Sequence, residues 1–165
     1  MWYSVCRVIG LVVAVLILFL CCISVVIGVG VIERVRIYLE DAWEFYRRGR
    51  EELLRGLEKG YVYEVRDGAE KLWNAVVQAT NALILHLLGL VPASHWEWRR
   101  KLMELEGRFE EVGKLGLCDR YCARERHLRG MTFYEGIVDE DLLRYEVQKV
   151  ERYLRDVEDL IRRLR

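Results

Sequence analysis

The chain has 165 residues with 26 basic and 26 acidic side chains, so its formal net charge is zero. That balance excludes a protein that grips duplex nucleic acid through a global positive excess, and confines any such contact to a local patch. Five cysteines, three of them at Cys6, Cys21 and Cys22, do not make a secreted disulfide framework and fit a reducing setting.

Val8–Ile32 is a run of 25 residues without a charge. As a helix it would measure about 37 Å, more than the roughly 30 Å of a bilayer's hydrocarbon. It is therefore read as a transmembrane helix, with Val8, Leu16, Phe19, Ile27 and Ile32 along the span. The run exceeds the apolar core of a cleaved signal and leads directly into Glu33-Arg34-Val35-Arg36, so it is expected to stay uncleaved. Arg7 alone precedes it, whereas Arg34, Arg36, Arg47, Arg48 and Arg50 follow it. The positive-inside bias then predicts a single-pass membrane protein, with the lipid bilayer as a partner and the C-terminal domain cytoplasmic. Residues 1–32 are the anchor; residues 33–165 are a helical domain long enough to bury a core without disulfides or a structural metal.

A first helix of that domain is predicted from about Glu33 to Glu58, with Val35, Tyr38, Ala42, Phe45, Gly49, Leu53 and Leu57 as its inward stripe. Lys59-Gly60 supplies the stop. The second, about Tyr61 to Leu88, is apolar nearly all round in its second half and is predicted as the central helix, with His86 a partnered core histidine. Gly89 to Ala93, containing Pro92, cannot continue it. Ser94-His95-Trp96-Glu97 reads as a capping box, opening a third helix to about Glu106 with Trp96, Leu102 and Leu105 inward. Gly107, Gly113 and Gly116 mark a connection into a fourth helix at about Leu115 to Arg129, and Gly130 to Val138 reads as a loop. Asp139 is the expected N-cap of the last helix. Its stripe, Leu143, Val147, Val150, Leu154, Val157, Ile161 and Leu164, alternates spacings of four and three. The fold class is all-α, an antiparallel bundle of about five helices behind the anchor.

Candidate chemistry gathers in the fourth helix. Arg120, Arg124 and His127 are spaced four and three apart and share one face. An imidazole moves protons near neutral pH, and a guanidinium holds a phosphate and its developing charge; together they are what phosphodiester cleavage needs. A solvated arginine face containing an ordinary histidine has the same spacing. Cys118 and Cys122 with His127 offer three soft ligands but no fourth, so two small buried residues are expected there, with no metal and no cofactor. The chain has no phosphate-binding glycine loop, no HExxH and no serine-nucleophile elbow.

Ala69, Glu70, Lys71, Trp73, Ala75, Gln78 and Ala79 in the second helix, the Ser94-His95 start, and His127 followed by Phe133-Tyr134-Glu135 form an ordered series. In order and spacing it resembles the archaeal PaREP family across roughly Leu39 to Ile161, with the N-terminal run outside the likeness. That family looks related to the HEPN superfamily of small helical bundles, many of them homodimeric, metal-independent RNases or toxin partners of small nucleotidyltransferases. The resemblance implies a HEPN-like bundle, a homodimer, and RNA or a nucleotidyltransferase-type protein as partner in a toxin–antitoxin-like system. The superfamily motif is Arg, four to six residues, then His. Arg120 and His127 match that outline, although Tyr121 stands where a polar residue is common. On this likeness Arg120 and His127 are the candidate catalytic pair, and Arg124, Tyr134 and Glu135 candidate contacts to RNA or a partner. The function expected is a membrane-anchored HEPN-like binding module. The alternatives are a metal-independent endoribonuclease and a structural tether that recruits a protein partner.

Overall fold

A computed structural model describes the backbone of residues 2–164 and the side chains of residues 30–164. The elements are α1 (Trp2–Lys59), α2 (Val62–Leu88), α3 (His95–Arg108), α4 (Glu110–Leu115), α5 (Leu117–Arg124), a π-helical segment (Glu125–Tyr134) and α6 (Glu140–Arg163). No strand occurs among the described residues. The chain divides into two compact units, Met1–Arg34 and Val35–Arg165.

The expected transmembrane helix is overturned: among the described residues, no helix is long and apolar enough to cross a membrane. With it go the single-pass placement and the cytoplasmic assignment of the C-terminal domain, both of which rested on the span. The physical reason lies in the described length of α1, where Glu33, Arg34, Arg36, Glu40 and Asp41 crowd the turns after Gly30. Each such charge costs about 2.5–3.5 kcal/mol at the centre of a bilayer-spanning helix. Val8, Leu16, Phe19 and Ile27 lie outside the residues whose side chains are described. Ile32, the last residue of the proposed span, is exposed beside Glu33 and Arg34.

Within Val35–Arg165, α1 and α2 form a tight hairpin. Two bonds close it, Tyr61 N–H to Gly56 C=O at 2.8 Å and Gly60 N–H to Leu57 C=O at 3.4 Å, with Gly60 at φ +69°. This is the Schellman pattern that Lys59-Gly60 predicts. The helices then touch through missing side chains: a Cβ on Gly68 would lie 2.5 Å from Leu53 N and 2.8 Å from Gly49 O. Val35, Ala42 and Leu53 of the predicted stripe are buried, and Tyr46 joins them.

The central position of α2 is borne out. It packs against α6 and the π segment, and also meets α3 and α5. Trp73, Leu72, Val76, Leu83 and Ile84 sit in the core. Its left-handed end at Gly89, φ +70°, takes the cap bond to Leu85 C=O at 2.9 Å. His86 finds the partner expected of it, Nε2 lying 2.8 Å from Leu164 C=O.

At the start of α3, Ser94 Oγ accepts from Glu97 N–H at 3.3 Å and Glu97 Oε2 accepts from Ala93 N–H at 2.8 Å. The box forms, with the carboxylate reaching one residue further back than the usual pattern. The inward register differs from expectation. His95, Trp98, Leu102 and Leu105 repeat at three, four and three, which turns Trp96 outward to 59% exposure under the Arg100 guanidinium. Trp98 is the tryptophan that packs, its Nε1–H donating to Asn81 Oδ1 at 2.7 Å.

The expected connection before the fourth helix contains a short helix of its own, α4, and Gly116, at φ +57°, separates it from α5. Beyond Arg124 the chain does not loop out at Gly130. It stays helical to Tyr134 in π geometry, with Glu135 N–H bonded to Gly130 C=O five residues back. Thr132 Oγ1 donates to His127 C=O at 2.9 Å, which satisfies that carbonyl inside the widened turns. Asp139 caps α6 as predicted, Oδ1 accepting from Leu142 N–H at 3.0 Å. Leu143, Val147, Val150, Leu154 and Val157 are buried along its stripe.

Candidate functional site

α5 and α6 run side by side, and their facing surfaces carry one buried carboxylate. Glu146 is fully buried, and its two oxygens gather three donors. Arg124 Nε donates to Oε2 at 3.0 Å; Lys149 Nζ and His127 Nδ1 approach Oε1 at 2.9 and 3.1 Å. Burial alone would push the Glu146 carboxyl up. The Lys149 hydrogen bond, the Arg124 charge and the His127 hydrogen bond outweigh it and hold the group below its ordinary range. Glu146 is therefore ionised, and an ionised carboxylate only accepts. The His127 proton facing it consequently sits on Nδ1, and Nε2 carries no hydrogen bond among the described residues.

Arg124 is almost fully buried, and its Nη1 also donates to Arg120 C=O at 2.8 Å, so the guanidinium is locked between its own helix and Glu146. Arg120, one turn earlier, pairs with Asp156 Oδ2 at 2.8 Å and lies over the Tyr153 ring at 5.4 Å. Tyr153 is itself fixed: its hydroxyl lies 2.8 Å from Thr80 Oγ1, which donates to Val76 C=O. Arg120, Arg124, Lys149, Arg152 and Asp156 line a groove of about 320 Å³ between α5 and α6. Arg152 is exposed there with no ion-pair partner among the described residues. The result is a basic concavity in a chain of zero net charge.

The structure thus brings Arg124 and His127 together on Glu146, and places Arg120 in the groove beside them. Arg120 and His127 do not touch; the groove wall includes Arg120 and Arg124, and His127 joins it through the shared carboxylate. Tyr134 and Glu135 belong elsewhere. Tyr134 is exposed and its hydroxyl accepts from Arg129 Nη2 at 3.0 Å, while Glu135 is exposed at the end of the π segment. Arg129 reaches on to His95 Nε2. A guanidinium only donates, so His95 accepts at Nε2 and its Nδ1–H faces the Tyr121 hydroxyl at 3.3 Å. Burial, then the Arg129 charge, lowers the His95 pKa, with Glu125 opposing, so the ring is neutral at pH 7 among Trp73, Trp98 and Tyr121.

Cys118 is buried, its Sγ 3.7 Å from Arg99 C=O, and burial pushes its thiol up to about 11. No cluster of three metal-ligating side chains occurs among the described residues. Sequence reasoning missed Glu146, Lys149 and His95. For Glu146 a signal existed: it lies three residues after Leu143 and four before Val150, a charge on the apolar stripe of the most amphipathic helix.

Fold and site define an all-α helical bundle with a carboxylate-centred basic groove between α5 and α6. Comparison with protein-family models finds none that matches the chain, and searches of curated proteins and of solved structures find no match either.

Proposed function

We propose that this bundle is a HEPN-like RNA-binding module whose ligand surface is the groove between α5 and α6. The observation that carries the reading is the convergence of Arg120, Arg124, Lys149 and Arg152 in one groove, where Asp156 and the buried Glu146 offset only part of their charge and Arg152 stands exposed. In a protein without net charge, such a patch is a local counter-charge for phosphates. The resemblance of the sequence motifs to PaREP and HEPN proteins points to the same ligand class. Fluorescence anisotropy with a labelled single-stranded RNA tests it. Binding should weaken with salt at a slope of roughly −2 for about three phosphates neutralised. Arg152→Glu should weaken it about tenfold while leaving the circular dichroism unchanged. RNA affinity indifferent to salt and to Arg152→Glu would sink the proposal.

A second reading, a metal-independent endoribonuclease, is favoured by the His127–Glu146 bond at 3.1 Å, which orients the imidazole with Nε2 outward. In that reaction Nε2 takes the proton of a ribose 2′-hydroxyl. The 2′-oxygen bonds to phosphorus, the bond to the 5′-oxygen breaks, and the leaving oxygen is protonated by the imidazolium. Arg120 steadies the phosphate charge. Cleavage in the presence of chelator that His127→Ala abolishes is the expected result; equal cleavage by both proteins would dismiss this reading.

A further inference from the structure

Glu146 and Asp156 both face the cations of the groove, yet they are built differently. Glu146 is fully buried and holds three donors, so nothing displaces it. Asp156 is about one-third exposed, and among the described residues its ion pair is with Arg120 alone, at 2.8 Å. Arg120 does not depend on that pair for its position, because its guanidinium also rests over the buried Tyr153 ring. Asp156 in addition lines a second concavity of about 340 Å³, where Lys114 and Arg163 stand beside Glu111 and Asp159, Lys114 being paired with Glu110. Its side chain therefore sits on a ridge between the basic groove and a second concavity of mixed charge, where the Arg163 guanidinium is exposed.

We infer that Asp156 is an internal stand-in for a ligand phosphate. It occupies the Arg120 guanidinium and is displaced out of the groove, on the Arg163 side, when the phosphate of a single-stranded RNA takes its place. The inference rests on the RNA-binding reading of the groove. Asp156 then acts as a residue that sets affinity: an incoming phosphate gains Arg120 only after separating an existing pair, while Arg124 stays tied to Glu146 throughout.

The test uses the full chain and a labelled single-stranded RNA at fixed salt, with Asp156→Asn compared against Asp159→Asn. The comparison removes the same charge from the same helix, since Asp159 pairs with Arg162 outside the basic groove. Asp156→Asn should bind roughly three- to fivefold more tightly, the worth of one partly exposed ion pair no longer broken. Asp159→Asn should change affinity about twofold or less. The salt slope should stay the same in Asp156→Asn, because the same phosphate meets Arg120 in both complexes; a slope steeper by about 0.7 would mean a new phosphate contact and would overturn the displacement. Asp156→Ser repeats the test should the amide disturb folding. If the unaltered protein binds RNA and Asp156→Asn binds no better, or if Asp159→Asn matches it, the inference is wrong and the groove reading survives. If neither protein binds RNA at low salt, the groove reading falls and takes the inference with it.

Discussion

Replacing Glu146 with alanine should be among the most damaging single changes in this protein. The carboxylate is fully buried and receives Arg124, Lys149 and His127. After truncation, Lys149 and His127, with side chains 23% and 27% exposed, recover hydration by small movements. Arg124, at 5%, does not, and is left as a buried charge with only the Arg120 carbonyl to bond. Breaking a buried pair from one side costs about 3–5 kcal/mol, which in a protein of this size is a fall in Tm on the order of 10 °C. Glu146→Gln keeps the shape and an acceptor oxygen, so it should cost less. The double variant Arg124→Met with Glu146→Leu removes both charges and should be more stable than Glu146→Ala alone. Because its neighbours hold the Glu146 carboxyl low, its contribution is complete at neutral pH and fades as pH falls through the lowered pKa. The gap between the unaltered protein and Glu146→Gln should therefore narrow below pH 4.5. Urea unfolding followed by circular dichroism measures all of this. A Glu146→Ala cost under about 1 kcal/mol, or a double variant whose loss equals the sum of its parts, would refute the account of a coupled buried network.

Gly68→Ala should destabilise by about 2 kcal/mol or more, because the new methyl meets Leu53 N at 2.5 Å, and backbone cannot step aside as a side chain does; thermal unfolding reads the shift. Trp98→Phe removes the donor to Asn81 Oδ1, leaving a buried acceptor unpaired, and should cost about 1–3 kcal/mol in urea titrations. His95 is held neutral in the fold and protonates more readily when unfolded, so its contribution is present above pH 6.5 and declines as pH falls through the depressed value. The unaltered protein should thus lose more stability between pH 7 and pH 5 than His95→Gln does, and parallel pH profiles would remove His95 from that role.

Elements whose signal is local were legible in the sequence. The Gly60 stop, the Ser94 and Asp139 caps and the α6 stripe each depend on a few consecutive residues, and each forms as read. What depended on rotation or on distant partners was not. Trp96 and Trp98 sit two residues apart on one helix, and it is the rotation that buries Leu102 and Leu105 that brings Trp98 to Asn81 on α2. The π segment replaces an expected loop because its backbone bonds internally, five residues back, where glycine and β-branched threonine suggest an end of helix. In the site, Arg120, Arg124 and His127 could be placed on one face by counting. Glu146, which binds two of them, comes from another helix 19–22 residues away and no counting along α5 reveals it. The apolar run before Glu33 reads as a membrane span from its length, its lack of charge and its basic flank, but among the described residues no helix is long and apolar enough to cross a membrane.

The glycine seam between α1 and α2 has a consequence for how the chain reaches this structure. Glu52 and Lys71, which pair across the hairpin, are 19 residues apart, whereas Thr80 and Tyr153, which join α2 to α6, are separated by 73. Closing the shorter loop sacrifices less chain entropy, and close backbone packing rewards it at once. The hairpin is thus placed to form first and offer α2 as a template, with α6 arriving last and completing the basic groove as it docks. Substitutions at Gly49 or Gly68 should accordingly slow refolding. Those at Glu146 or Tyr153 should mainly speed unfolding, so the groove would be both the last part assembled and the first released.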